Sequence, residues 1–132
     1  MYTAIVHFPE KILTLKIFLI SEIIALGGLT KLRWLRLSEN ALSSLPDSTA
    51  KLSSLVHLDL SNNKFEGIPE VLMDVASLAS LIMQHNEITN ITDAMCGFTL
   101  RLCKLDVRFN EIVDIPVELM SSETLFFGKA VR

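Results

Sequence analysis

The chain has 132 residues, a length that suits one domain with a substantial buried core. Half of the residues are hydrophobic and the formal net charge is −3, which argues against a protein that binds nucleic acid through a broadly basic surface. The two cysteines, Cys96 and Cys103, provide neither a disulfide framework nor the ligand set of a zinc site. We therefore expect a reducing compartment, either the cytoplasm or the nucleus.

Residues 1–28 are apolar but show no complete period. The stretch from Ile12 to Leu26 is interrupted by Lys16 and Glu22, and its unbroken part is much shorter than the roughly 20 apolar residues of a membrane-spanning helix. Counting back 23 residues from the first clear motif places Ile17 where an asparagine belongs. We predict no membrane span and interpret residues 1–28 as an irregular segment, a cap or a degraded repeat.

One motif recurs from residue 29 onward: Leu-x-x-Leu-x-Leu-x-x-Asn-x-Leu-x-x-Leu-Pro, in which other apolar residues replace some leucines. The best copy is Leu55–Pro69, and the others begin at Leu32, Leu78 and Leu102. The asparagines follow one another at intervals of 23, 23 and 24 residues, at Asn40, Asn63, Asn86 and Asn110. A motif with this period indicates a leucine-rich repeat array of about four repeats, which we place at residues 29–125.

Each repeat predicts one short strand and one short helical segment. In Leu-x-Leu, alternation at period two buries the leucines and exposes the residue between them. The asparagine ends the strand and can hydrogen-bond the turn backbone, and the Leu-Pro step leads into a helical or 3₁₀ segment. The predicted fold is an α/β leucine-rich repeat solenoid, with a short parallel sheet on its concave face and helical or 3₁₀ segments on its convex face.

The array departs from its pattern at several places. Thr49 stands at a helical position that other repeats fill with leucine or methionine, so a polar group enters a buried slot. Thr92 replaces the proline of the third repeat, and one extra residue precedes Leu102, where we expect a bulge on the convex side. Beyond Leu119 the motif fades. We expect Leu125 to hold the first apolar position of a further unit, before a tail at residues 126–132. Uncapped ends would favour self-association.

No catalytic motif is present. The chain contains no phosphate-binding loop, no His-Glu-x-x-His and no Gly-x-Ser-x-Gly, and its histidines do not pair with cysteines at metal-ligand spacing. Cys96 and Cys103 are interpreted as small buried hydrophobic residues of a convex segment. We predict that the protein is not an enzyme and uses no cofactor and no metal.

The candidate functional surface is the set of side chains that project from the concave sheet. We predict partner contacts by nine of them: Trp34, Arg36, His57, Asp59, Ile82, Gln84, Lys104, Asp106 and Arg108. Adjacent strands lie about 4.8 Å apart, so we expect Arg36 to face Asp59 and Lys104 to reach Asp106. Trp34 has two interpretations of equal weight, packing against the N-terminal segment or serving as a binding hot spot.

The segment LTKLRWLRLSENALSSLPDS at residues 29–48 carries a more specific resemblance. With LDLSNNKFEGIPEVL and LDVRFNEIVDIPVEL, it resembles the intracellular Ras-group leucine-rich repeats over roughly residues 26–120. The chain also lacks the cysteine-rich end caps that extracellular repeat proteins usually carry. The resemblance implies a scaffold that binds a Ras-like GTPase and the catalytic subunit of protein phosphatase type 1 on its concave face, in Ras and MAP-kinase signalling.

Two features differ from that family. Its members have many more repeats and a disordered arm with a phosphatase-docking Val-x-Phe element, which Val6-His7-Phe8 and Val107-Arg108-Phe109 match only in the core triplet. Two alternatives therefore stand beside the scaffold: the regulatory fragment of a larger enzyme, or a truncated fragment without function.

Overall fold

The computed structural model describes residues 30–126 and the backbone of two N-terminal strands. The described strands, in chain order, are β1 Thr3–His7, β2 Ile12–Lys16, β3 Trp34–Arg36, β4 His57–Asp59, β5 Ser80–Ile82, β6 Lys104–Asp106 and β7 Leu125–Phe126. They form one sheet in chain order. β1 and β2 are antiparallel, and each later pair is parallel. This confirms the predicted solenoid with its parallel sheet.

Burial in the strands of the array follows the Leu-x-Leu pattern. The central residues of β3 to β6 are Leu35, Leu58, Leu81 and Leu105, and each is at most 1% exposed. They are in register across the sheet, so the leucines of successive repeats stack into one continuous core. Burying one such side chain contributes roughly 1.5–3 kcal/mol, but only if a neighbouring repeat covers it.

A buried asparagine follows each of these strands and joins its repeat to the one before. The side-chain amide of Asn63 donates to the carbonyl oxygens of Leu60 in its own repeat and Leu37 in the preceding repeat, at 3.0 Å each. Its Oδ1 atom accepts from the backbone N–H of Leu42, again in the preceding repeat, at 2.9 Å. The predicted turn role of the asparagine is confirmed, and the bridge to the preceding repeat adds to it.

The residue directly before each asparagine adopts a left-handed backbone conformation. Glu39, Asn62, His85 and Phe109 have φ between 56° and 60°. A side chain with a Cβ atom is disfavoured there, by roughly 1–2 kcal/mol. The asparagine bonds therefore hold the chain in a turn that most of these residues would not adopt alone, and the turn directs their side chains to the edge of the sheet.

Short 3₁₀ segments cover the convex side. They span Asp47–Lys51, Glu70–Asp74, Asp93–Met95 and Val117–Leu119. Three of them follow a proline directly, which suits the start of a helical turn because proline lacks the N–H that would have no partner there. The fourth follows Thr92 and continues into the α-helix Cys96–Arg101.

This α-helix accommodates the extra residue of the third repeat. The insertion lies on the convex side as predicted, but in helical form and not as a bulge. Arg101 ends the helix and its Nη2 atom donates to the carbonyl oxygen of Val75 at 3.0 Å, while its guanidinium lies 5.1 Å from the centre of the Phe98 ring. These contacts tie the helix to the preceding repeat, and the strand pattern resumes at Leu102, which is buried. No described helix is long and apolar enough to cross a membrane.

The prediction for the C-terminal unit was wrong by three positions. Leu125 pairs with Leu105 as a strand residue, 20 positions further along the chain, and does not hold the first apolar position of the motif. The connection is short because the last 3₁₀ segment is a single turn and a tight turn follows, in which the hydroxyls of Ser122 and Thr124 lie 2.9 Å apart. Strand β7 thus includes Phe126, the first residue of the predicted tail, whereas residues 127–132 lie outside the described part.

The N-terminal hairpin extends the sheet beyond the clear repeats. β2 pairs with β3 so that Leu13 is the register partner of Leu35, at a distance of 22 residues along the chain and not 23. With this spacing the Leu-Thr-Leu of residues 13–15 takes the strand position that the longer spacing misses. Residues 8–11 and 17–29 lie outside the described residues, so the interpretation of residues 1–28 as a cap or degraded repeat remains a prediction.

Thr49 confirms the predicted polar intrusion, and it generates a test of the packing. It is buried at the position of Leu72 and Leu119, and its hydroxyl has no hydrogen-bond partner. We expect Thr49→Val to raise the free energy of unfolding by about 1 kcal/mol, because the isosteric methyl group removes an unsatisfied buried hydroxyl. Urea denaturation followed by circular dichroism measures the change.

Thr99→Val is the matched control. Thr99 is equally buried, but its hydroxyl donates to the Cys96 carbonyl oxygen at 3.0 Å. The same substitution should therefore lower the free energy of unfolding there, by about 0.5–1.5 kcal/mol. A loss of stability in both variants would contradict the assignment of Thr49 as the unsatisfied site.

Candidate functional site

The side chains that project from β3 to β6 on the face opposite the 3₁₀ segments form the concave face. The register places them in two rows that cross the strands: Trp34, His57, Ser80 and Lys104, and next to it Arg36, Asp59, Ile82 and Asp106. Gln84 and Arg108 lie two residues beyond Ile82 and Asp106 along their chains. The nine predicted contact residues thus belong to one sheet, although their burial differs greatly.

Trp34 stacks on His57 at the N-terminal side of the concave face. The ring centres are 4.3 Å apart and the planes are 24° from parallel. Trp34 is 45% exposed, whereas His57 is half-buried. Burial lowers the pKa of His57, with further lowering by Lys104 and Arg36 and partial opposition from Asp59. The imidazole is therefore neutral at pH 7, and the tryptophan presents one large apolar surface to solvent.

Arg36 faces Asp59 as predicted, with 3.6 Å between Nε and Oδ2. The other carboxylate oxygen, Oδ1, accepts hydrogen bonds from the N–H and the hydroxyl of Ser61, at 2.9 and 2.7 Å. Asp59 is therefore held on both oxygens by groups of this chain. Since the ion pair is solvent-exposed on the arginine side, its own contribution to stability is small, about 0–1 kcal/mol.

Asp106 is buried and corrects two predictions. It is 1% exposed, so the carboxylate is not a surface contact, and it pairs with Arg108 instead of Lys104. Arg108 donates from Nε to Oδ1 at 3.0 Å and from Nη2 to Oδ2 at 2.8 Å, and Gln84 donates to Oδ2 as well. Burial alone would raise the pKa of Asp106, but the hydrogen bonds from Arg108 and Gln84 outweigh it and lower the pKa. Side chains two residues apart on one strand face outcompete Lys104, because a fork of two donors matches a carboxylate.

Lys104 and Ile82 complete the concave face. The ammonium group of Lys104 lies 5.8 Å from the centre of the Phe126 ring, a cation–π distance. Ile82 is half-buried between Asp59 on one neighbouring strand and Asp106 on the other. The face therefore combines a central apolar side chain with cationic and aromatic groups around it.

Sequence reasoning missed a second aromatic pair, at the edge of the concave face. The rings of His85 and Phe109 stack with centres 4.4 Å apart and planes 6° from parallel, and Phe109 is 63% exposed. Both residues directly precede a repeat asparagine and share its left-handed turn. That common position was the available signal, because side chains of successive left-handed turns stack in the same way as those of the strands.

The cysteines contribute nothing to this surface. Cys96 is partly buried against the core, but Cys103 is exposed, so the prediction that both are buried was wrong for Cys103. Cys103 lies in the loop after the α-helix, where the chain leaves the core before β6. Both thiols are free. Within the described residues, no cluster of histidine, cysteine, aspartate and glutamate could hold a metal ion.

Comparisons with known proteins agree with this architecture. Residues 30–88, less than half of the chain, match the family model described as Leucine rich repeat. The chain is similar to a leucine-rich repeat protein of Leptospira interrogans, with a TM-score of 0.67 and 23% identity over 81% of this chain and 28% of that one. Internalin C2 of Listeria monocytogenes gives 0.60 and 24% over 81% and 44%. The PEPR1–AtPEP1 complex gives 0.58 and 21% over 96% and 21%. No curated protein matches the sequence.

These matches define the class. At such identities the solved structures show the fold alone, and the chain spans less than half of the length of each of them. Together with the family match and the observed solenoid, they establish that this is a leucine-rich repeat protein.

The Trp34–His57 stack provides a test of the site. Since Trp34 is the sole tryptophan of the sequence, its fluorescence reports on this pair, and a protonated imidazole in contact should quench it. We expect the quenching midpoint below the ordinary histidine value of 6.5, because burial disfavours the charged form. By linkage, the lowered pKa means that stability is lost as pH falls from 6.5 through the folded-state pKa.

The control for this titration is His57→Gln, which should abolish the fluorescence transition while leaving the spectrum at pH 8 similar. A midpoint at or above 6.5 in the wild type would contradict the burial of His57 beneath the tryptophan.

Proposed function

We propose that this protein is an interaction module that binds a protein partner on its concave face. The observation that carries the proposal is the composition of that face: Trp34 is half-exposed on a fixed sheet, next to Arg36 and the central Ile82. Tryptophan and arginine dominate the hot spots of protein interfaces. Leucine-rich repeat domains generally mediate protein–protein interaction, and this face is built from rigid strands that lose little entropy on binding.

The narrower proposal names the partner type. The Leu-Ser-Glu-Asn and Leu-Pro-Asp-Ser elements at residues 37–40 and 45–48 resemble those of the Ras-group scaffold Sur-eight, also called Shoc-two. On that ground we propose a cytoplasmic or nuclear scaffold that binds a Ras-like GTPase, the catalytic subunit of protein phosphatase type 1, or both. The support for this narrower proposal is the sequence resemblance. The geometry supports only the wider one.

The decisive experiment places a large charged side chain at the centre of the concave face. Ile82→Arg should weaken binding of a partner by about tenfold or more, because it removes the central apolar contact and obstructs the sheet. Binding of the GTP-loaded GTPase and of the phosphatase subunit is measured by biolayer interferometry, together with a peptide selected from a display library on the wild-type protein.

Met73→Arg is the matched control. Met73 is an exposed apolar residue of the convex segment Glu70–Asp74, so the same substitution there should leave affinity unchanged. Absence of binding by both the GTPase and the phosphatase would refute the narrower proposal alone. A selected peptide that tolerates Ile82→Arg but not Met73→Arg would refute the concave face as the binding surface.

A further inference from the structure

The charges of the concave face are separated by depth. The two acids lie low, Asp59 with 17% and Asp106 with 1% of the side chain exposed, whereas Arg36 and Arg108 remain 57% and 44% exposed above them. Lys104 is exposed as well, and no described carboxylate lies within ion-pair distance of it. A protein with a net charge of −3 thus presents a cationic surface on one face.

The buried acids cannot compensate these cations toward an incoming partner. Both oxygens of Asp59 are occupied, one by Ser61 and one by Arg36. Both oxygens of Asp106 accept hydrogen bonds from Arg108, and Oδ2 accepts from Gln84 in addition. Each aspartate therefore orients an arginine from beneath, and the remaining guanidinium N–H groups stay available for a second carboxylate.

Aromatic pairs flank this cationic surface at opposite corners. Trp34 and His57 stack where the array begins, and His85 and Phe109 stack where β5 and β6 end. Ile82 lies between the two pairs. A ligand that fits must therefore combine negative charge with apolar or aromatic side chains.

We propose that the concave face recognises an acidic segment of a protein partner, rich in glutamate or aspartate with apolar or aromatic residues among them. This inference rests on the proposed function and specifies its partner. From β3 to β6 the face spans three strand spacings, about 14 Å, which about four residues of an extended peptide cover. Carboxylates of that segment would pair with Arg36, Lys104 and Arg108, and its apolar side chains would contact Ile82 and the aromatic rings.

A polypeptide fits this surface better than single-stranded nucleic acid. Such a strand needs a cationic path that follows its backbone over several nucleotides. Here the cationic area is short, and acidic side chains occupy the loops of the same repeats, at Glu66, Glu87 and Glu111, which line one shallow groove. A polyphosphate that leaves the sheet on this side would meet like charge.

The test is fluorescence anisotropy with three labelled probes. The first is a nonapeptide with four glutamates, one leucine and one tryptophan among serines. The second has glutamine in place of glutamate, and the third is oligothymidylate of similar length. We expect the acidic peptide to bind at least about fivefold more tightly than the glutamine peptide, with affinity that falls as salt is added.

Charge reversals locate the site. Lys104→Glu should weaken the acidic peptide by about fivefold or more, and Lys104→Gln by less, because the first introduces repulsion and the second only removes attraction. Lys51→Glu is the matched control, since Lys51 is exposed at the end of the convex segment Asp47–Lys51 and should have no effect beyond the change in net charge. Thermal unfolding verifies that all three variants are folded.

Equal affinity for the acidic and glutamine peptides would overturn the inference, and so would tighter binding of oligothymidylate or an equal effect of Lys51→Glu. The proposed function fails separately. A library-selected neutral peptide that Ile82→Arg displaces would preserve the concave interaction module while acidic recognition is rejected.

Discussion

The buried asparagine at the end of each strand is the constraint on which the rest of the structure depends. Asn63 satisfies carbonyl oxygens in two repeats and an N–H group in a tight turn, and Asn86 and Asn110 repeat the arrangement on their own neighbours. Only an amide offers donors and an acceptor together in this space. Without it, several backbone groups would be buried unsatisfied, at roughly 1–3 kcal/mol each.

This constraint separates structural from functional residues along the same strand. The leucines and asparagines fix the spacing between repeats, so the side chains between them lie at defined positions on the concave face. The same turns hold His85 and Phe109 in a left-handed backbone, where their rings stack at the edge of the sheet. A surface built in this way is rigid before a partner arrives, which reduces the entropy lost on association.

The fold could be predicted from the sequence because each repeat states the same physical requirement again. The site could be predicted only in part. Strand alternation correctly located Trp34 and Arg36 on the exposed face, since period two is a local property. It misplaced Asp106, because burial of a charged group depends on donors such as Arg108 that no pattern specifies. The frame failed at Leu125, where a shortened connection replaced the period, and the Ras-group assignment remains a proposal.

Hydroxyl-radical footprinting with and without a bound protein partner tests the central claim, that the concave face is the binding surface. Trp34 and Phe109 are exposed, reactive side chains of that face and its edge, while Met73 and Met120 are exposed and reactive elsewhere in the array. We expect the partner to protect Trp34 and Phe109 and to leave oxidation of both methionines unchanged. Protection of the methionines with undiminished oxidation of Trp34 would contradict the account.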